Sequence, residues 1–340
     1  MYSEQLFPYP SSWYCVALSS ELSPGTVLGR MLAGRELVLF RTASGALGAM
    51  DAHCPHLGAH LARGGKVEGE CIRCPFHGFS FDTRGACVKT GYGTRPPPKA
   101  ATRAWAVREL HGMVFVWFDA EGQAPSWELP DVATAPSGWT ALRHRTLRFR
   151  GHVQEIAENG VDIGHFSYVH GFQNVRQTRE LVTEGPYLSL SYSTTQQRDV
   201  LGASKTFVTE FDIHQHGLGY ARVEVVLPDM GIRAWQFIMA RPLNEDEVEM
   251  VLGVSVREVE SSARVHPLMM LAPRKWLTEV LAETNIRELE LAVQQDVPLW
   301  SNKKFIHPPA LAQGDGPIGV YRQWVRQFYP GARRREAAVG

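Results

Sequence analysis

At 340 residues, 44% hydrophobic and 21% charged, the chain is long enough for two domains with their own cores and has an ordinary soluble, globular composition. Its 35 basic and 35 acidic side chains cancel, which removes nucleic acid and acidic membrane surfaces as default partners. No run approaches the roughly 20 apolar residues of a membrane-spanning helix, the N-terminus lacks signal-peptide features, and five cysteines suit no disulfide framework; a cytoplasmic protein with reduced thiols is expected.

In chain order, segments 37–41 and 113–118 read as β-strands flanking two loops rich in Gly and Pro. The first loop carries Cys54-Pro55-His56 and the second Cys74-Pro75-Phe76-His77. A Rieske [2Fe–2S] centre needs two thiolates on one iron and two imidazoles on the other. Two loops that each give one Cys and one His supply that set, and hairpin tips would bring the imidazoles to the surface. Cys54, His56, Cys74 and His77 are therefore the expected cluster ligands. The competing reading is a structural zinc drawn from Cys54, His56, Cys71, Cys74 and His77, because Cys71 and Cys74 make a Cys-x-x-Cys pair. The paired Cys-Pro flanks and Gly78 after the last histidine favour the cluster. Cys15 and Cys87 are expected to be plain buried thiols. Ala59, Phe76, Phe79 and Phe81 stand where respiratory-type Rieske proteins carry extra cysteines and hydroxyls, so a low reduction potential is expected.

Residues 122–139, GQAPSWELPDVATAPSGW, read as a linker. Beyond it, 153–170 has helix-forming composition around Glu158, Asn159, Asp162, His165 and His170. On one helix Glu158, Asp162 and His165 would share a face. His170 would lie about 140° round from His165, so both reach one ion only if it sits between them or the helix distorts. Two histidines leave a 2-His-1-carboxylate iron site one ligand short. Period-two segments at 188–195, 206–214, 221–227, 232–240 and 248–256 read as strands, with Val248, Met250, Leu252, Val254 and Val256 on one face of the last. Residues 273–297 read as a long helix stopped by Pro298. On it Ile286, Leu289, Val293 and Asp296 share a face, and a carboxylate on a buried stripe is costly unless paired or metal-bound. Asp296 is the expected third iron ligand. Strands combined with a metal-bearing helix and a long terminal helix make the second domain α+β. The tail from Gly331, with Arg333, Arg334 and Arg335, reads as mobile. Without a Gly-rich dinucleotide loop, NAD(P)H and flavin are assigned to another protein.

With both motifs in one chain, the sequence resembles the catalytic α-subunits of the Rieske non-haem iron oxygenases over nearly its whole length, from Ser12-Trp13-Tyr14-Cys15-Val16-Ala17 to Asp296. The resemblance implies an α+β protein. An all-β Rieske [2Fe–2S] domain (11–119) and a linker (120–139) would precede a helix-grip catalytic domain (140–330) and a tail (331–340). The catalytic domain would have a curved antiparallel sheet and a long C-terminal helix. It implies a monooxygenase fed by a ferredoxin or flavin reductase, with mononuclear Fe(II) on His165, His170 and Asp296 and with Asp162 and Asn159 as catalytic residues. It also implies a homotrimer in which Asp162 links His77 of one protomer to His165 of the next. Segments 295–300, 302–304, 314–318, 321–324 and 327–329 are similar to steroid-ring hydroxylases and cholesterol desaturases. That similarity implies a sterol or steroid substrate that is hydroxylated, desaturated or oxidatively demethylated. Two other readings stay open: an oxygenase for an arene or an O- or N-methyl compound, and a cluster-carrying electron-transfer or redox-sensing protein.

Overall fold

The computed structural model describes residues 9–130, 137–200 and 203–329; the expected tail from Gly331 and the middle of the expected linker, 131–136, lie outside them. The chain divides into two compact units, one of Ser11–Glu128 with Arg241–Glu245 and the other of the remainder. No described helix is long and apolar enough to cross a membrane.

The N-terminal unit has strands β1 (Ser12–Leu18), β2 (Val27–Leu32), β3 (Arg35–Arg41), β4 (Leu47–Asp51), β5 (Lys66–Glu68), β6 (Cys71–Arg73), β7 (Ser80–Phe81), β8 (Cys87–Lys89), β9 (Val107–Leu110) and β10 (Met113–Phe118). They form three sheets ordered β1-β10-β9, β2-β3-β4 and β5-β6-β7-β8. Strands β1 (SWYCVAL) and β10 (MVFVWF) are buried along their whole lengths, which is why neither alternates. They pair antiparallel, and the partners Trp13 and Trp117 meet edge to face at 5.7 Å. Trp13 Nε1 donates to the Trp127 carbonyl (2.9 Å) and Arg108 pairs with Glu128 (3.1 Å), fastening the segment after β10 back onto this unit.

The second unit contains β11 (Arg143–Arg150), α1 (Val153–Glu158), α2 (Ile163–Tyr168), β12 (Gln173–Glu184), β13 (Tyr187–Val200), β14 (Ala203–His216), β15 (Tyr220–Leu227), β16 (Ile232–Pro242), β17 (Glu247–Val256), α3 (Ser262–Val265), α4 (Arg274–Asn302) and α5 (Ile318–Val325). Its seven strands form one sheet ordered β11-β17-β16-β15-β14-β13-β12, and α4 lies on β11 and β17. Val248, Met250, Leu252, Val254 and Val256 are all buried on β17, as their alternation predicts.

Three local features depart from the sequence reading. Segment 153–170 is two short helices broken at 159–162, not one. Asp162 caps the second, its side chain accepting from the His165 N–H (3.2 Å), so the polar residue starts a new helix instead of continuing the old one. Pro298 does not stop α4, which runs on to Asn302. The proline forfeits one backbone bond, but Trp300 stacks on Phe149 (5.6 Å) and Ser301 Oγ donates to the Arg150 carbonyl (2.8 Å), holding the last turn from outside. The first Cys/His loop is not a hairpin tip: it joins β4 to β5, which belong to different sheets, whereas the second is the tight connection between paired β6 and β7.

Candidate metal centres and active site

The two cysteine loops share one backbone frame. The Cys54 N–H donates to the Ala59 carbonyl (2.8 Å) and the Gly58 N–H returns to Cys54 (2.9 Å). In the second loop Cys74 donates to Phe79 (2.7 Å) and Gly78 returns to Cys74 (3.2 Å). Gly58 and Gly78 close the frames at φ +76° and +67°, a region costly for residues with a Cβ. Both cysteines are buried in the cluster of Val38, Phe40, Met50, Leu61, Ile72 and Phe81. His56 and His77 are half-buried, with ring centroids 4.8 Å apart, and Phe79 stacks on His56 at 4.4 Å. Burial pushes the Cys54 thiol up to about 11 against a hydrogen bond from the His56 backbone, with the Cys74 sulfur adding to the rise. The buried His56 Nδ1 has no hydrogen-bond partner. Two inward sulfurs and two outward imidazoles, one of them with an orphaned nitrogen, fit a Rieske cluster.

Cys71 belongs elsewhere. It lies on β6, outside the loop frame that holds Cys74, and burial and then the charges of Asp82 and Glu70 raise its thiol. Cys15 is buried as expected, but Cys87 is only half-buried, with Sγ against the Lys89 carbonyl (3.4 Å).

In the second unit the helix break settles how two histidines meet. His165 lies in α2, His170 lies beyond its end, and their rings stand 5.2 Å apart. Asp296 joins them from the last two turns of α4, on the same buried stripe as Ile286, Leu289 and Val293. The ligand atoms of His165, His170 and Asp296 lie within 4.8 Å of one another. His165 Nδ1 bonds the backbone carbonyl of Asp162, and His170 Nδ1 donates to Gln295 Oε1 (2.9 Å). Each bond places the ring proton on Nδ1 and leaves Nε2 bare toward the group. His170 Nε2 then faces Asp296 Oδ2 at 3.5 Å, while Asp296 Oδ1 is buried without a partner. Two acceptors at that distance need a cation or a proton between them. Burial lowers the His170 pKa, but hydrogen bonds to Asp296 and Gln295 outweigh it and the net shift is upward. Burial dominates at His165, whose pKa is lowered. The donor set fits a facial iron site.

All three residues lie on the wall of a cavity of about 690 Å³. Asn159, at the C-terminal end of α1, also lines it, its Oδ1 accepting from Trp300 Nε1 (3.2 Å). Glu158 turns away: Arg322 grips it with two bonds (2.6 and 2.9 Å), which ties α1 to α5.

Another His/His/carboxylate group, Glu36, His53 and His60, stands in the N-terminal unit. There the Ala62 N–H donates to His60 Nδ1 (3.1 Å), so the ring proton sits on Nε2 and points at Glu36 (3.6 Å). An ion would need that nitrogen bare. This group is a polar contact.

The profile of the Rieske [2Fe-2S] domain matches residues 12–100, and that of the 3-ketosteroid 9alpha-hydroxylase C-terminal domain matches residues 116–329. The chain belongs to this family of Rieske oxygenases. The oxygenase is 30% identical to a cholesterol 7-desaturase of Bombyx mori over 95% of its own length and 70% of that protein's. It is 28% identical to the oxygenase component of a 3-ketosteroid-9-alpha-monooxygenase of Rhodococcus rhodochrous over 94% and 81%. Among solved structures, Pseudomonas putida CBB5 NdmA with caffeine shares the fold at TM-score 0.68, with 18% identity over 92% of this chain and 89% of that one. The N-terminal unit is thus a Rieske [2Fe–2S] domain, and the oxygenase is an O2-dependent oxidoreductase.

Sequence reasoning missed three supports of the oxygenase's site. Gln295 and Trp300 could have been found, since they flank Asp296 on one helix. Arg322 could not, because nothing local links it to Glu158, 164 residues earlier.

Proposed function

We propose that the chain oxidises a sterol or steroid with O2 and with electrons from an external ferredoxin or flavin reductase. The observation that carries this reading is the placement of His165, His170 and Asp296 on a large, mainly apolar cavity of about 690 Å³. Ligand cavities run from about 300 to 1,000 Å³, so a rigid fused-ring substrate fits this one. The two relatives described above, named for a sterol and a ketosteroid, support the substrate class.

His165, His170 and Asp296 would hold the mononuclear Fe(II), and Cys54, Cys74, His56 and His77 the cluster. When bound, the cluster supplies single electrons and the iron supplies oxygen activation. The protein's part is positioning and exclusion. The Asp162 carbonyl and Gln295 fix the two imidazoles, while Phe166 and Phe172 pack against them, backed by Tyr192 and Phe211, and would keep water away from the reacting carbon. The Gln236–Asn285 pair (2.9 Å) is one polar point on the mainly apolar wall that could orient a substrate oxygen.

The same reading takes the enzyme as cytoplasmic and as a ring trimer, with Asp162 of one protomer meeting His77 of the next; the resemblance across 158–170 supports the trimer. Asp162→Asn should then leave the cluster reducible while single-turnover oxidation stops, and unchanged turnover would remove that route. The whole reading is tested by mass spectrometry of products from a panel of sterols and steroids, with a ferredoxin–reductase pair and the cluster shown to be reduced. Gain of one oxygen, loss of two hydrogens or loss of a carbon on one of them supports it. No conversion with both metal sites filled contradicts it.

A further inference from the structure

Along β14 the residues Thr209, Phe211, Ile213 and Gln215 alternate onto the cavity wall. The last of them is a carboxamide that is 2% exposed. Its Nε2 donates to the Ala157 carbonyl in the last turn of α1 (3.0 Å). Gly160 leaves room for that approach, since a Cβ there would lie 2.6 Å from the same nitrogen. The bond also fixes which way the amide faces, because turning it over would set two oxygens against each other. Oε1 is therefore an acceptor, and it is buried without a partner. An unpaired buried acceptor is costly, and the adjoining cavity is where a donor can enter.

The other amides on the wall do not make the same demand. Gln236 Nε2 donates to Asn285 Oδ1, so that pair keeps both an oxygen and N–H groups for a ligand. Asn159 uses its Oδ1 to accept from Trp300 and has N–H donors left to offer. It directly precedes the glycine that packs on Gln215, so donors and an acceptor meet in one corner. A hydroxyl can accept and donate there, whereas a ketone can only accept.

The corner is set apart from the iron group. Phe211 meets His170 through Phe172, with ring centroids 6.1 Å and then 5.7 Å apart. Gln215 is four residues farther along the strand, about 13 Å. That separation puts the bound oxygen and the oxidised carbon on different rings of a fused-ring substrate.

We propose that Gln215 is a specificity-determining residue whose Oε1 accepts a hydrogen bond from a substrate hydroxyl, so that the oxygenase selects a steroid alcohol over the matching ketone. The selection rests on the steroid reading above. The test is product formation by the holoenzyme, with its reductase pair, from steroid alcohol and ketone pairs identical at every other carbon and competed in one reaction. The expected result is a kcat/KM ratio of about tenfold or more in favour of the alcohol for one such pair. Gln215→Leu should bring that ratio near one. Gly160→Ala, which displaces the amide without changing its chemistry, should lower it as well. Each ratio is internal to one variant, and equilibrium dialysis of the same pair supplies it where turnover is lost. Equal handling of every pair by the parent protein overturns the proposal, as does a preference unchanged in Gln215→Leu; both leave the steroid reading standing. No conversion and no binding of any pair overturns both.

Discussion

Glu36/His53/His60 and His165/His170/Asp296 each bring two imidazoles and one carboxylate within 4.8 Å of one another, yet only one group is arranged for a cation. In the first, a backbone N–H takes His60 Nδ1, which turns the proton-bearing nitrogen inward, and Glu36 and His53 are exposed. In the second, oxygen acceptors take the Nδ1 protons of both rings, and a buried carboxylate oxygen has no partner. The partner of the outer ring nitrogen, not residue composition, decides which group can bind metal.

The sharpest way to break this comparison is to remove a ligand from the buried group. His165→Ala should bring substrate oxidation to background while the visible absorbance and reduced EPR signal of the cluster stay unchanged. Next in size is the outer contact. Gln295→Leu removes the acceptor that orients His170 and should weaken Fe(II) binding about 10- to 100-fold, read by titrating metal into chelated protein. A smaller effect is expected in the cluster frame. Gly78→Ala places a Cβ 3.0 Å from the Gly91 Cα at φ +67°, whereas Gly58→Ala, at φ +76°, meets open space. The first should cost about 1–3 kcal/mol and the second nearer 1, so thermal melting should fall several degrees and then fewer. Smallest of all, Glu36→Gln should shift stability by no more than about 0.5 kcal/mol and leave iron content unchanged.

Much of this was legible in the sequence, and what was not has identifiable causes. The five inner strands β13 to β17 alternate because one face meets a core, and each was readable. Strands β11 and β12 are the two edges of the same sheet. Their sequences, RHRTLRFR and QNVRQTRELVTE, carry charges where a buried strand carries apolar residues; such charges blunt an edge against further pairing and conceal the strand from pattern reading. The cluster loops were legible because each frame closes within six residues. Asp296 was legible because one carboxylate interrupts an apolar stripe. The break at 159–162 was hidden because Asp162 fits a helix interior by spacing and acts as a cap only once His165 turns its N–H toward it. Similarly, Pro298 stops an isolated helix, but tertiary contacts at Trp300 and Ser301 carry α4 past it.

The most direct test of the contrast is iron per chain after anaerobic reconstitution with Fe(II) and sulfide, measured on the parent protein, Asp296→Ala and Glu36→Gln. The account predicts about three irons in the parent and in Glu36→Gln, two from the cluster and one mononuclear, and about two in Asp296→Ala. Three irons retained in Asp296→Ala, or one lost in Glu36→Gln, would contradict it.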